Sequence, residues 1–270
     1  MTTQPIKCLL WRNALLLAVA ALPACMPAPT GRAPVDLYPP TEMSVTLEHP
    51  ASPPPPQFRE NELAKQPGEV VRTVRIYHHA VRTRMAAAFE SAGLPFPPPR
   101  LALLAFKQER RLELWGAEPG KSPRWIKNYP FTAFSGELGP KRKQGDRQIP
   151  EGIYRITFLN PESSYHLSMK LDYPNEYDRA MAIADRRKDL GGDIFIHGDS
   201  YSVGCIALGD RAIEELFVLT ALSGQENIQV IISPYDLRRH KEIEPVARVP
   251  WTRELYARIQ DSLLSFPGAR

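Results

Sequence analysis

Hydrophobic and polar positions change their period several times along the chain, and each change marks an element. From Val70 to Ala92 the apolar residues Val71, Val74, Tyr77, Val81, Met85, Ala88 and Phe89 recur every three or four positions, which places them on one face of a helix. Gly93 and the prolines at 95, 97, 98 and 99 end it. Leu101 to Phe106 is an apolar run of strand length, followed by a turn over 107–110. Arg111-Leu112-Glu113-Leu114-Trp115 alternates polar and apolar, as a half-buried strand does. Further strands are predicted at Trp125–Tyr129, Ile153–Ile156, Tyr165–Met169, Asp193–His197 and Ile228–Ile232. Asp210 is placed to cap a helix from Arg211 to about Ser223, which Gly224 stops, and a C-terminal helix is predicted over Trp251–Phe266. Many short strands, few helices and no strict β-α-β alternation predict a mainly β, sheet-rich fold with accessory α-helices.

The N-terminus follows a different rule. Lys7 and Arg12 make a basic start, and Ala14 to Ala24 is an apolar run broken only by Pro23. That run falls short of the about 20 residues a membrane span needs, so residues 1–24 read as a secretory signal peptide. Leu22-Pro23-Ala24-Cys25 resembles the lipobox of bacterial lipoproteins, which implies a lipid on Cys25; plain secretion is the alternative. Prolines then crowd the stretch up to Gln57, so residues 25–69 are expected to be an extended tether. The expected division is therefore leader 1–24, tether 25–69, accessory helix with a Pro-rich connector 70–98, main domain 99–233 and a C-terminal extension 234–270.

Composition narrows the partners. The 270-residue chain is 43% hydrophobic, enough for a sizeable core. Its formal charge of +4 includes Lys7 and Arg12, so a mature chain is close to neutral and charge gives no reason to propose nucleic acid as a partner. Of the three cysteines, Cys8 falls in the leader and Cys25 is the lipid site, which leaves Cys205 as the free thiol. A lone thiol in an oxidising compartment is either buried and inert or retained for chemistry.

Cys205 lies in the stretch with the clearest chemical pattern, Ile194 to Leu208. An apolar run ends in His197-Gly198, a polar loop follows, and Ser202-Val203-Gly204-Cys205 closes it. A thiol nucleophile needs a base within hydrogen-bond reach, and His197 stands at the other end of the same loop. A thiolate–imidazolium pair with the thiol pKa brought from ~8.5 to ~6 corresponds to about 3.4 kcal/mol. Read singly, His197 is a packing residue and Cys205 a small buried hydrophobe. A zinc site is the other reading, but His197 and Cys205 with Asp193, Asp199 and Asp210 form no recognisable ligand set. His78 and His79 are neighbours on a helix and share no face, so they read as surface or packing residues. The basic run Lys141 to Lys143, in a glycine-rich loop from Ser135 to Gly152, faces an anionic ligand or simply water.

Taken together with Gly145-Asp146-Arg147-Gln148-Ile149-Pro150-Glu151-Gly152-Ile153-Tyr154, these residues resemble the L,D-transpeptidase catalytic domain of YkuD type, and within it the YafK-like branch, over about residues 70–260. The predicted helix at 70–92 and the stretch Leu103 to Glu113 resemble that branch too. The resemblance implies a sandwich- or barrel-like sheet fold that attacks the amide between diaminopimelate and D-alanine in a stem peptide through a thioester. Cys205 would be the nucleophile and His197 its base, with the Gly198 carbonyl orienting the imidazole. The N–H groups of Gly204 and Cys205 would stabilise the oxyanion, and Ser202 would shape the loop. The chemistry requires no metal or organic cofactor. Two positions depart from the majority pattern: Ala207 stands where most members carry arginine, and Val203 where many carry histidine.

Three functions are expected from this reading. The first is a periplasmic transpeptidase, lipid-anchored with the outer membrane favoured, whose partners are stem peptides and an amine acceptor on a second stem or a lipoprotein. The second, motivated by Ala207, is a hydrolase of diaminopimelate-linked peptides or wall-attached lipoprotein. The third, motivated by the tether, is a non-catalytic lipoprotein that binds the wall.

Overall fold

The computed structural model describes residues 60–240 and 242–267. The expected leader, Cys25 and the tether up to residue 59 lie outside the described residues. A single helical turn, α1 (Glu60–Leu63), precedes the long α2 (Gly68–Ala92), so helical structure begins ahead of the expected tether end at 69. Gly93 terminates α2 in the left-handed region at φ 61°, where its N–H meets the carbonyls of Glu90 and Phe89. The chain continues through β1 (Arg100–Phe106), β2 (Arg111–Ala117), β3 (Arg124–Pro130), β4 (Gly152–Ser163), β5 (His166–Leu171), α3 (Glu176–Ala184), β6 (Phe195–His197), β7 (Ile206–Ala207), α4 (Asp210–Ser223), β8 (Ile228–Ser233) and α5 (Thr252–Leu263).

The strands form one eight-stranded sheet in the order β3-β2-β1-β8-β4-β5-β6-β7. Pairing is antiparallel except for β1 with β8 and β6 with β7. β4 joins the two halves: Gly152 to Arg155 pair with β8, and from Ile156 onward it pairs with β5. The fold is thus sheet-rich with accessory helices, as the pattern of short strands predicts.

The apolar run of β1 has a simple cause. Strand side chains alternate between faces. Leu101, Leu103 and Ala105 pack in a core with Val74, Val81, Met85 and Phe89 of α2 and Ile213, Leu216 and Phe217 of α4. Ala102, Leu104 and Phe106 pack in a second core with Leu255, Ile259 and Leu263 of α5. A strand covered on both faces needs apolar residues at every position. Each fully buried Leu, Ile, Val or Phe in these layers contributes about 1.5–3 kcal/mol. Polar groups fix α2 to the sheet as well. The buried Glu215 of α4 receives hydrogen bonds from Arg84 (3.1 Å), Lys127 (2.7 Å) and Tyr129 (2.9 Å).

Three expectations change. β2 is buried on both sides instead of one, because α5 and the turn at 237–239 cover its polar face. Glu113 there accepts from Trp115 (2.9 Å), Arg111 (3.0 Å) and Arg238 (3.0 Å). Asp210 is not the N-cap of α4. Gly209, at φ 79°, takes that position, and Asp210 opens the helix. The helix α3 was not predicted, although Asn175 and Asp178 form a reciprocal capping box; only Ala182 of α3 is buried, so its apolar period is weak.

Lys107, expected in an open turn, is buried. Its ammonium donates to the carbonyls of Gly139 (2.7 Å) and Ile149 (2.9 Å) and to Glu151 (2.9 Å). Glu151 also accepts from the Gly139 N–H (2.7 Å) and, with its other oxygen, from Tyr256 of α5 (2.7 Å). Burial pulls the Lys107 ammonium down from its usual range while Glu151 pushes it up, and burial pushes the Tyr256 phenol up. One ion pair therefore ties the C-terminal helix to the loop between β3 and β4.

Candidate active site

His197 ends β6 and Cys205 stands one residue before β7. The parallel register pairs Ile196 with Ile206 and His197 with Ala207, so Cys205 lies alongside Phe195. By strand alternation Phe195, His197, Cys205 and Ala207 project from one face, while Ile196 and Ile206 enter the core on the other. His197 and Cys205, eight apart in sequence, are diagonal positions on one face of the strand pair because the intervening loop folds back.

That loop is held at both ends. The Gly198 N–H donates to the Leu167 carbonyl (3.2 Å) and the Leu208 N–H to the His197 carbonyl (3.0 Å). Asp210 Oδ1 accepts from the Asp199 N–H (2.8 Å), and Thr132 Oγ1 donates to the Asp199 carbonyl (2.7 Å). A side chain at Gly198 would meet Asp210 Oδ1 at 2.7 Å and the Tyr165 carbonyl at 2.8 Å, which leaves room only for glycine. Gly204 sits at φ 98°, and a Cβ there would approach the Gln148 carbonyl at 3.1 Å.

The imidazole is fixed in one tautomer. His197 Nδ1 lies 2.7 Å from the Gly198 carbonyl, which can only accept, so Nδ1 carries the proton and Nε2 has the free lone pair. The ring is buried, with Tyr165 against it at 4.6 Å between centroids. Burial pushes the His197 pKa down from its usual value, and the Gly198 carbonyl and Asp199 push it up to a smaller extent.

Cys205 Sγ donates to the Asp193 carbonyl at 3.8 Å, and no hydrogen bond joins it to the imidazole. Burial raises its pKa, against the pull of the Phe195 N–H and the Lys141 ammonium. Of the two roles open to His197, taking the thiol proton or pairing with a thiolate, these directions favour the first. The sign is measurable. Alkylation of Cys205 by iodoacetamide should rise with pH through a midpoint above the ordinary 9.0. A midpoint near 6 would restore the ion pair.

Four more sequence-selected residues flank Cys205 along the chain. Ser202 Oγ donates to the Cys205 carbonyl (2.7 Å), closing a small turn. The Gly204 N–H donates to Ser135 Oγ (2.7 Å), so of the two expected oxyanion donors it is already engaged, and the Cys205 N–H is the other. Ala207 is buried and bridges Ala133, whereas Val203 is exposed. Ser135, Tyr165 and the Asp193 carbonyl were not singled out, since nothing in their sequence spacing ties them to Cys205.

The Gly145–Tyr154 motif forms the adjoining wall. Asp146 accepts from Lys141 (2.6 Å) and from the N–H groups of Arg142 (2.8 Å), Lys143 (3.0 Å) and Gln148 (3.1 Å). Burial pushes its carboxyl up, yet these donors hold it below the usual range. The basic run does not act as one surface: Lys141 is buried on Asp146, Arg142 reaches Asp185 (3.1 Å) and Lys143 is exposed. Asp193 pairs with Lys170 (2.6 Å). Among the described residues no group of three or more His, Cys, Asp or Glu could hold a metal ion. His78 packs edge-on to Phe96, and His79 is exposed.

Residues 103–232, the segment that holds both His197 and Cys205, match the model of the L,D-transpeptidase catalytic domain, YkuD. The protein named "Putative L,D-transpeptidase YafK" of Escherichia coli is 36% identical over 146 residues, covering 50% of this chain. The chain spans 56% of the length of the curated relatives it matches. Among solved structures, the helical cell shape determining protein Pgp2 of Campylobacter jejuni is 23% identical, with a TM-score of 0.42 over 51% of this chain and 48% of its own. L,D-transpeptidase 1 of Mycobacterium tuberculosis is 12% identical, with a TM-score of 0.29 over 50% of this chain and 62% of its own.

Proposed function

We propose that this chain is a cysteine-dependent acyl-transfer enzyme of the bacterial envelope that acts on peptidoglycan stem peptides. The observation that carries the reading is the placement of Cys205 on the same face as His197, whose Nε2 is the unprotonated nitrogen. In the first step Sγ, rotated from the Asp193 carbonyl toward the ring, attacks the carbonyl carbon of diaminopimelate. The thiol proton passes to Nε2, and the developing oxyanion takes the Cys205 N–H. The C–N bond breaks, the imidazolium returns the proton to the departing D-alanine amine, and a thioester remains. An acceptor amine then attacks the thioester, gives a proton to Nε2, and frees the thiol. The acceptor is a second stem peptide or a lipoprotein. The location is the periplasm, with a lipid on Cys25 holding the chain to a membrane, the outer one favoured.

A second reading puts water in place of the amine. Ala207 favours it: its methyl is buried against β6 and presents no charge to an incoming stem peptide. Incubation of the purified chain with sacculi separates the two by mass spectrometry of the released muropeptides. Transfer gives free D-alanine and new 3-3 cross-links. Hydrolysis gives tripeptides, or stems freed of their protein, without new links. Muropeptides identical to those of untreated sacculi would overturn both.

A further inference from the structure

Ser135 lies outside both sequence motifs, yet it joins them. Its Oγ accepts the Gly204 N–H at 2.7 Å, donates to the Arg147 carbonyl at 3.0 Å and touches Ser202 Oγ at 3.3 Å. The protons can be assigned. An amide N–H only donates and a carbonyl only accepts, so the Ser135 hydroxyl proton is on the Arg147 side. Ser202 uses its own proton on the Cys205 carbonyl at 2.7 Å. The two hydroxyls therefore lie in contact with their protons directed elsewhere.

Ser135 is itself held from outside the 198–205 loop. The Glu137 N–H donates to Gln148 Oε1 at 2.9 Å. Gly136, at φ 81°, lies so close to the neighbouring wall that a Cβ would meet the Arg147 carbonyl at 2.8 Å. On its other side, the Thr132 N–H donates to the Ala207 carbonyl at 2.9 Å. The segment 132–137 is thus fastened to both walls of the site, and Ser135 is where it touches the residue before the nucleophile.

We infer that Ser135 is a positioning residue: by holding the Gly204 N–H it fixes the Val203–Gly204 peptide plane, one Cα away from the peptide that carries the Cys205 N–H, and so helps aim that N–H at the substrate oxygen. This rests on the acyl-transfer reading above. A substrate oxygen does not displace the hydroxyl from Gly204, because withdrawal of Ser135 would also unpair the Arg147 carbonyl. Gly204 at φ 98° has no side chain to stiffen it, so the serine supplies the constraint that the glycine lacks.

The test compares two reactions at the same sulfur. Acylation by a carbapenem passes through an oxyanion, whereas alkylation by iodoacetamide is a displacement at carbon that forms none. In the full chain, read by mass spectrometry of the peptide that carries Cys205, Ser135→Ala should slow acylation about 10- to 100-fold, the cost of a misplaced group. Alkylation and its pH dependence should stay as in the unsubstituted chain. Ser135→Thr, which keeps the hydroxyl, should recover most of the acylation rate. An unchanged or faster acylation in Ser135→Ala, an equal fall in both reactions, or a threonine variant no better than alanine would overturn the inference. Acylation that persists in Cys205→Ala would instead overturn the reading on which it rests.

Discussion

Cys205→Ala should leave the chain unable to take up a carbapenem, while the unsubstituted chain gains the mass of one bound molecule on the peptide that contains residue 205. The lactam carbonyl stands in for the stem-peptide amide, and ring opening leaves it bonded to Sγ. Cys205 is the free cysteine of the described residues, so the substitution removes the one sulfur there that can attack. Ser202 does not replace it. Its hydroxyl proton is on the Cys205 carbonyl. His197→Gln should lower the same acylation on the order of 10²- to 10⁴-fold, the usual worth of a general base. Because burial depresses the imidazole pKa, the rate should fall only as pH drops below the ordinary 6.5, where Nε2 becomes protonated. Undiminished acylation of Cys205→Ala would end the proposal of thioester chemistry.

The second large effect concerns stability. Glu151→Ala should lower the unfolding free energy by about 3–5 kcal/mol, the cost of removing one partner from a buried ion pair. The side chains of Lys107 and Glu151 are both at 0% exposure. Without the carboxylate, the ammonium keeps two carbonyls but no counter-charge, and Tyr256 and the Gly139 N–H lose their acceptor. The double substitution Lys107→Met/Glu151→Leu should cost less than the single one, since it removes the charge together with its partner. Urea unfolding midpoints of the three chains decide this. A single-variant loss no greater than that of a surface change, about 0.5 kcal/mol, would show that the pair does not hold the loop.

How much could be read in advance depended on whether a residue's role is local. The helix at 68–92, the strands at 100–106 and 228–233 and the helix at 252–263 announce themselves by period and length. His197 and Cys205 were legible because a short loop brings them together and their residue types have few common roles. The thiol's ionisation was not legible. It depends on burial and on which carbonyl Sγ faces, and neither is written in the order of residues. Lys107 reads as a turn lysine until α5 is folded over it, and Ser135 acquires meaning only when residues nearly seventy positions on fold against it. The cap at Asp210 was misassigned because aspartate suits both the cap and the first turn. The choice was decided by Gly209, whose φ of 79° permits the sharp entry.

β8, the last strand in sequence, lies between β1 and β4, near the middle of the sheet. Without it, the other strands are two ribbons, β3-β2-β1 and β4-β5-β6-β7, linked by the bridge between Ala133 and Ala207. Completing the sheet therefore requires a long-range pairing of β8 with β1, the kind of contact that slows folding. The base, on β6, and the thiol, beside β7, lie three and four places from that strand. A chain ending before residue 228 would lack the strand that holds the ribbon of the site against the ribbon of β1.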